Sequence, residues 1–405
     1  MENFRILFFS GSLGLGHIVR DLAIASELRK QIPGVQISWL ASHPANLLLK
    51  EAGEELLPEA ELIANVNNPA ERAAGAYNLN LMKYLARSRK EWSKNVNVFR
   101  QVISKEKYDL IIGDETYEIV VAMQDKKLQI DVPFVMIYDF LGLDSMSWNP
   151  IEKLYTYMWN KIWSGVKIFA EKKNLALFVG EPEDISDKSF GFNLPHRREY
   201  ANTYYNFIGY VFPFDPADYA QKEVVRKKLQ YGEEPLVICS IGGTNIGKNL
   251  LELCGQSFPI LRNTMPDLRM ILVCGPRLSP ESLKVPKEVE VKGYVPALYE
   301  HFAASDMAIL QAGGTSTLEL TALRRPFLYF PLEQHSEQEI DVSERLRRHR
   351  AGIGMTYSKT SPEALAEQVI SNFNMEVNYS PIPTDGAQRA VSKIKQLLDS
   401  QGERS

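Results

Sequence analysis

Residues 307 to 338 combine side chains suited to binding a phosphate with side chains suited to binding sugar hydroxyls. The apolar run from 307 to 310 predicts a buried strand, and the small residues from 311 to 316 predict a sharp turn that opens a helix. Backbone N–H groups at a helix N-terminus bind anions, and small residues let phosphate oxygens come close. Glu319 and the pair 337–338 add groups that bind hydroxyls. The segment therefore indicates a nucleotide sugar as its ligand.

This segment resembles the donor-binding signature of GT-B glycosyltransferases, above all UDP-glycosyltransferases and the lipid-linked N-acetylglucosaminyltransferases of the family 28 type. Their pattern is a turn of Gly, small residues and Ser or Thr, then Glu, then Pro, then a Gln-containing loop. The resemblance implies donor binding by Gln311, Gly313, Gly314, Thr315, Ser316, Glu319, Glu337 and Gln338. Within that set, it implies that Glu319 accepts hydrogen bonds from the ribose and that 337–338 contact the sugar. Plant UDP-glycosyltransferases have His at the position of Gln311, so this chain lacks that charge.

A glycine-rich loop near the N-terminus ends in a histidine. The loop, SGSLGLGH over residues 10–17, has P-loop spacing but lacks the Lys and the Ser or Thr that a P-loop places next. A helix predicted over residues 18–30 follows, and its dipole disfavours a charged imidazole at His17. In the resembling enzymes such a His deprotonates the acceptor hydroxyl, which implies a base at His17 and an acceptor loop at Gly14 and Gly16. A capping or core histidine is the alternative.

An aspartate follows a strand predicted over residues 108–112. In the resembling enzymes an Asp at this point holds the base and stabilises its charged form, which implies a dyad of His17 and Asp114. Such a pair needs only hydrogen-bond reach, not sequence adjacency. A turn-forming Asp is the alternative.

Small residues also follow the first strand predicted in the second half of the chain. Gly242, Gly243 and Thr244 would let backbone N–H groups meet a diphosphate, although an ordinary tight turn has the same composition. The resemblance places Tyr294 and Val295 beside the nucleotide base. The sequence has no DxD motif and no spacing typical of a cation site, so we expect no metal. Helix dipoles and N–H groups would then stabilise the leaving diphosphate.

Apolar strands alternate with amphipathic helices in both halves of the chain, which favours parallel, doubly wound sheets. With the resemblance, this predicts an α/β protein of the GT-B type, with two Rossmann-like doubly wound parallel-sheet domains facing across a cleft. The predicted divisions are an acceptor-binding domain over 1–208, a linker rich in Pro and Gly over 209–216, a nucleotide-sugar-binding domain over 217–380, and a C-terminal helix over 381–405 that crosses back to the first domain.

The composition limits the classes of partner and the cellular location. The 405 residues carry a net charge of −4, with no basic footprint for nucleic acid. The three cysteines form no CxxC pair, which predicts buried free thiols in a reducing compartment. The sequence shows no signal peptide and no apolar run of the roughly 18 residues that a spanning helix needs. We therefore expect a cytoplasmic protein.

One amphipathic segment bears on the acceptor. Apolar residues recur at helical spacing at Ile151, Leu154, Met158, Ile162, Val166 and Phe169, with tryptophans and lysines beside them. A core-facing helix is the favoured interpretation. The alternative is a helix that lies on a membrane or meets a lipid-linked acceptor, so a peripheral contact with the inner face of the membrane stays open.

These observations predict an inverting, metal-independent hexosyltransferase. It would move a hexose or N-acetylhexosamine from a nucleotide diphosphate sugar, a UDP-sugar by the resemblance, to a small-molecule or lipid-linked acceptor hydroxyl, with no further cofactor. A sugar-nucleotide epimerase of the same architecture would need acid and base carboxylates and no acceptor. A non-catalytic nucleotide-sugar-binding subunit is disfavoured because both His17 and Asp114 are present.

Overall fold

The computed structural model describes residues 4–11, 14–65, 67–68, 71, 74–75, 77 and 81–402. The chain forms two compact units. Unit 1 comprises Met1–Pro69, Met82–Pro213 and Pro383–Ser405, and unit 2 comprises Ala70–Leu81 and Phe214–Ile382. The sequence-based division assigned residues 70–81 to the N-terminal domain, whereas in the structure they belong to unit 2.

Unit 1 contains a parallel sheet with the strand order β3-β2-β1-β4-β5-β6-β7. Its strands are β1 (Arg5–Phe9), β2 (Gln36–Leu40), β3 (Glu55–Leu56), β4 (Leu110–Asp114), β5 (Phe134–Tyr138), β6 (Asn174–Phe178) and β7 (Tyr205–Phe207). Strand order reverses between β1 and β4; Asp114 is the last residue of β4, and His17 lies at the start of the helix that follows β1. Doubly wound sheets bind ligands beyond the carboxyl ends of the strands at such a reversal.

Unit 2 contains a parallel sheet with the order β10-β9-β8-β11-β12-β13. Its strands are β8 (Leu236–Ser240), β9 (Arg269–Val273), β10 (Glu290–Lys292), β11 (Met307–Gln311), β12 (Phe327–Phe330) and β13 (Ile353–Gly354). The order reverses between β8 and β11, where Ser240 pairs with Leu310. This pairing brings the turns that follow the two strands to the same edge. Both sheets confirm the predicted doubly wound fold.

Helices cover both sheets. They are α1 (Gly16–Gln31), α2 (Ala45–Glu51), α3 (Leu81–Lys105), α4 (Tyr117–Gln124), α5 (Pro150–Ser164), α6 (Arg197–Tyr204), α7 (Lys222–Lys228), α8 (Lys248–Thr264), α9 (Leu298–Ala304), α10 (Gly314–Ala322), α11 (Ser343–Arg348), α12 (Pro362–Asn372) and α13 (Gly386–Gly402). A π-helix, Glu337–Val342, runs directly into α11 where a polar loop was expected. Helices of this type are rare and often occur at functional sites.

Aromatic packing between neighbouring strands stabilises unit 1. Phe8 of β1 and Trp39 of β2 are direct partners in the sheet, and their rings stack with centroids 4.4 Å apart. Both side chains are fully buried, and burial of each contributes about 1.5–3 kcal/mol. The three cysteines are buried free thiols, as predicted.

Helix α13 packs against α1 within unit 1. The Gly386 N–H donates to the carbonyl of Tyr210 at 3.1 Å. A Cβ at position 386 would lie 2.4 Å from that oxygen, so only glycine allows this approach. The start of the helix is therefore fixed to the segment that follows β7.

Helix α5 does not bury its apolar stripe, contrary to the favoured expectation. The exposed fractions are 65% for Ile151, 60% for Leu154, 54% for Met158 and 44% for Ile162. The helix ends at Ser164, so the buried residues Val166 and Phe169 lie outside it. None of the helices that the structure describes is both long and apolar enough to cross a membrane.

Candidate active site

The predicted base and its partner lie together at the strand reversal of unit 1. His17 occupies the first turn of α1, and Asp114 is the last residue of β4. The imidazole Nδ1 is 3.3 Å from Asp114 Oδ2 and 3.4 Å from Oδ1. A Cβ on Gly11 would come within 2.8 Å of the Asp114 carbonyl oxygen and 3.5 Å of the imidazole ring. The backbone at Gly11 therefore lies close to both groups.

A buried arginine, which the sequence analysis did not identify, is the main partner of Asp114. The Arg20 Nε donates to Asp114 Oδ2 at 3.0 Å, and its Nη2 donates to Oδ1 at 2.5 Å. Its Nη1 donates to Asp139 Oδ2 at 2.5 Å. Burial alone would raise the pKa of Asp114, but above all the charge of Arg20 holds it below its usual value. The spacing from position 17 to 20 puts both side chains on one face of α1, and this was the available signal.

Arg20 also determines which imidazole nitrogen carries the proton. Its Nη2 lies 2.8 Å from His17 Nδ1, and a guanidinium can only donate. In this arrangement Nδ1 is the acceptor, and the proton lies on Nε2, which is 3.6 Å from Glu115 Oε2. A His–Asp dyad requires the opposite tautomer, with Nδ1–H donating to the carboxylate. Arg20 and Asp114 therefore compete for the same nitrogen, and each favours a different tautomer of His17.

Glu115 completes this polar cluster and has an uncommon backbone conformation. Its φ is 49°, in the left-handed region that non-glycine residues seldom adopt. The Tyr117 hydroxyl donates to Glu115 Oε1 at 3.0 Å. Burial, and next the charge of Asp139, raise the pKa of Glu115 well above its usual value. Burial would also raise the pKa of the neighbouring Asp139, but the charge of Arg20 holds it below its usual value.

In unit 2 the predicted donor turn opens helix α10. Gly313 is the N-cap residue and accepts a hydrogen bond from Thr317 Oγ1 at 2.9 Å. The N–H groups of Gly314, Thr315 and Ser316 belong to the first turn, where the helix itself offers no acceptor. These residues are half-buried. The turn therefore presents backbone donors and the positive end of the helix dipole.

Glu319 lies one turn into the same helix with its carboxyl group buried. The residue is 6% exposed, and burial raises its pKa to about 8. No residue that the structure describes donates a hydrogen bond to this carboxyl. A buried polar group without a partner is costly, and a ligand hydroxyl would reduce that cost.

Two glutamines, Gln311 and Gln338, lie before and after the turn that opens α10, and their side chains differ in their hydrogen bonding. Gln311 ends β11, and its amide oxygen Oε1 is buried without a hydrogen-bond partner. Gln338 Oε1 accepts from the Leu332 N–H at 2.8 Å, which fixes the loop after β12 and leaves the amide N–H groups of Gln338 for a ligand. The half-buried Glu337 begins the π-helix. Arg345, which the sequence analysis missed, donates from Nη2 to the Gly314 carbonyl at 3.1 Å. This hydrogen bond stabilises the turn.

The loops after β8 and β9 contact each other. Gly242 has a φ of 74°, and a Cβ on Gly275 would be 2.2 Å from the Gly242 carbonyl oxygen. The half-buried Tyr294 and Val295 lie in the loop after β10. Because all three strands are parallel, these loops share one edge of the sheet. Among the residues described, no group of three or more His, Cys, Asp or Glu is arranged to hold a metal ion.

Known proteins are similar to this chain in sequence and in fold. Residues 237–398 match the glycosyltransferase family 28 C-terminal domain. An uncharacterized glycosyltransferase of Methanosarcina mazei is 23% identical over 415 residues, which covers 98% of this chain and 96% of that protein. The UDP-N-acetylglucosamine–N-acetylmuramyl-(pentapeptide) pyrophosphoryl-undecaprenol N-acetylglucosamine transferase of Clostridioides difficile is 22% identical over 370 residues, or 89% of this chain and 79% of that protein.

Solved structures extend the likeness to the whole fold. The glycotransferase of kitacinnamycin aligns with a TM-score of 0.61 at 15% identity, over 99% of this chain and 96% of that one. MurG of Acinetobacter baumannii aligns with a TM-score of 0.53 at 15% identity, over 97% and 99%. The chain is therefore a glycosyltransferase with the GT-B fold, and its residues 237–398 are similar to the C-terminal domain of family 28.

Proposed function

We propose that this glycosyltransferase moves a hexose or N-acetylhexosamine from a uridine diphosphate sugar to an acceptor hydroxyl, with inversion and without a metal. The observation that carries the proposal is the half-buried first turn of α10 with the buried Glu319 behind it. The turn supplies N–H donors for a diphosphate, and Glu319 supplies an acceptor for ribose hydroxyls. The name of the Clostridioides difficile relative, which specifies a UDP-N-acetylglucosamine donor, supports the same choice.

Thermal shift with nucleotides tests the donor. UDP should raise the Tm of the protein, and Glu319→Ala should weaken that rise because the ribose hydroxyls lose their acceptor. Glu344→Ala, which removes an exposed carboxylate of α11, is the matched control and should leave the rise unchanged. If no nucleoside diphosphate stabilises the protein at millimolar concentration, the donor proposal is wrong.

The base in this proposal is His17. To accept a proton at Nε2, the imidazole must carry its other proton on Nδ1 and donate it to Asp114. Arg20 then keeps its bonds to Asp114 and Asp139 and gives up its contact with Nδ1. The protonated imidazole that forms is stabilised by the neighbouring Asp114 carboxylate.

Steady-state kinetics and nucleotide affinity together test this role. His17→Ala should lower kcat by roughly two or more orders of magnitude. UDP affinity should hardly change, because the donor residues belong to unit 2. Asp114→Asn should lower kcat less than His17→Ala does, since the imidazole remains in place. His196→Ala is the control, since it removes an exposed imidazole of unit 1. Near-normal turnover in His17→Ala would make this histidine a structural residue.

The reaction products separate the proposal from epimerisation. Transfer requires an acceptor and releases the nucleoside diphosphate in proportion to product, whereas an epimerase changes the sugar nucleotide without an acceptor. Release of UDP should therefore depend on the acceptor added. Conversion of the sugar nucleotide alone, with no release of UDP, would favour the epimerase.

The acceptor side of the proposal includes a membrane surface. Trp148 is 92% exposed, and Lys153 Nζ lies 4.7 Å from the centre of its ring. With the exposed stripe of α5, this places apolar side chains and a cation on one surface, as in helices that lie on anionic bilayers. The undecaprenol-linked acceptor in the name of the Clostridioides difficile relative accords with that location.

Vesicle co-sedimentation tests the membrane contact. The protein should bind vesicles that contain phosphatidylglycerol more strongly than neutral vesicles. Leu154→Glu with Met158→Glu should reduce that binding, because two carboxylates would enter the apolar stripe. Val224→Glu changes an exposed apolar residue of unit 2 and should have no effect. Equal binding by all three proteins would exclude this surface.

A further inference from the structure

A carboxylate occupies an anion-binding position at the sheet edge of unit 2. Glu71, which belongs to this unit although it precedes α3 in the chain, forms a two-point ion pair with Arg277. The Arg277 Nε donates to Oε1 at 2.6 Å and Nη2 donates to Oε2 at 2.6 Å. The Asn245 N–H also points at Oε1, at 3.4 Å. Both side chains of the pair are 12% exposed, so the carboxylate is largely withdrawn from water.

The surroundings of this carboxylate are those expected of a phosphate site. Arg277 follows β9 and Asn245 follows β8, so both lie in the contacting loops already described. Helix α8 begins at Lys248, three residues after Asn245, and adds the positive end of its dipole. The fork of an arginine matches a phosphate as well as a carboxylate, and it does so through the same two donors.

We propose that Arg277 and the Asn245 N–H form a phosphate-binding site that Glu71 fills when no donor is bound. The site would take a phosphate of the donor, so this inference rests on the function proposed above. The phosphate replaces the carboxylate on the same donors, and no covalent bond changes. Glu71 is then an internal competitor of the nucleotide.

A second contact in the same stretch of sequence keeps this competitor nearby. The Tyr77 hydroxyl donates to the Phe330 carbonyl at 2.9 Å, and the Glu333 N–H donates to the Tyr77 carbonyl at 3.1 Å. The Tyr77 ring stacks on the ring of Tyr357, with the centroids 4.5 Å apart. Tyr77 is buried, so position 71 remains a few residues from an anchored point. A short tether gives an effective concentration in the millimolar range.

Calorimetric titration with inorganic pyrophosphate and, separately, with UDP tests the site on the full chain. Glu71→Gln removes the competing charge and leaves Arg277 in place. If Glu71 fills the site about nine-tenths of the time, the Kd for pyrophosphate should fall about tenfold. Arg277→Gln should raise that Kd at least about tenfold, and the double variant should match Arg277→Gln. Glu290→Gln, which breaks the ion pair of Arg269 in the same unit, is the control.

The outcomes separate this inference from the donor proposal. An unchanged or higher Kd for pyrophosphate in Glu71→Gln, or no binding of pyrophosphate to any variant, would make the pair an ordinary structural ion pair. If UDP binds equally to all variants, the donor proposal stands and the inference falls. If pyrophosphate follows the expected pattern but UDP adds nothing over it, the phosphate site stands and the uridine donor falls.

Discussion

Replacing Glu319 by Gln should stabilise unit 2 by an amount that depends on pH. Burial raises the pKa of this carboxyl from 4.5 to about 8 in the folded protein. Between these two values the folded state binds more protons than the unfolded state. The free energy of unfolding of the wild type therefore falls as the pH rises from 4.5 to 8. Gln has the same shape as Glu but does not titrate, so the free energy of unfolding of the variant should not fall in this way.

The size of the effect follows from the two pKa values. At pH 5 the loss in the wild type is roughly 1 kcal/mol, and at pH 7 it is roughly 3 kcal/mol. Any fixed cost of the buried amide is the same at both pH values. The difference in stability between Glu319→Gln and the wild type should therefore grow by roughly 2 kcal/mol in favour of the variant. For a unit of this size, that corresponds to about 4–8 °C in Tm.

Differential scanning calorimetry at pH 5, 6, 7 and 8 measures this growth, with the transition of unit 2 identified by its response to UDP. Glu344→Gln is the control, because its carboxylate is exposed on α11 and the exchange should not depend on pH in the same way. A difference in Tm that is constant across the range would refute the reasoning, since Glu319 would then be solvated in the folded protein.

Further measurements follow from the same geometry. UDP binding at pH 7 should release a proton from Glu319, because ribose hydroxyls favour the ionised form of its carboxyl group. Calorimetry in buffers of different ionisation enthalpy measures this proton release, which should be smaller in Glu319→Gln. Arg20→Met should destabilise unit 1 by about 3–5 kcal/mol, since the buried Asp114 and the partly exposed Asp139 lose their cation, and Arg20→Lys should destabilise it less. An unaltered denaturation midpoint in Arg20→Met would contradict the buried pair. Arg198→Met is the control, because the ion pair of Arg198 with Asp187 is long, at 4.0 Å, and exposed to solvent. Turnover should survive EDTA; complete loss restored by magnesium or manganese would contradict a metal-independent reaction.

The central strands could be predicted from the sequence because they are buried on both faces. The run from 307 to 310 is continuously apolar, and the structure places it in the buried strand β11, which ends one residue later at Gln311. Asp114 was expected just beyond its strand, but it extends β4 by pairing with Ile137 of β5. Strand ends depend on such neighbours, which no local pattern reveals. The short strand β7, with a polar Asn206 between two aromatic residues, gave no apolar run to recognise.

Long-range electrostatics and the environment of each helix face could not be predicted in this way. Arg20 is an unremarkable helix residue in the sequence, and its partner Asp114 is 94 positions away. The periodicity of α5 correctly indicates an amphipathic helix. Periodicity does not say what covers the apolar side, because Leu154 and Met158 have the same spacing whether they meet protein or water.

The interleaving of the two units constrains how the chain can fold on the ribosome. Helix α13 belongs to unit 1, yet it is translated only after the whole of residues 214–382, which form most of unit 2. Domains generally fold as units during synthesis, with the N-terminal one first. Here unit 1 cannot be completed until α13 has been synthesised. Until then, the surface of α1 that α13 covers is exposed to solvent. Expression of residues 1–213 alone should therefore yield an aggregation-prone product, whereas a circular permutant that starts at α13 would present both pieces of unit 1 early.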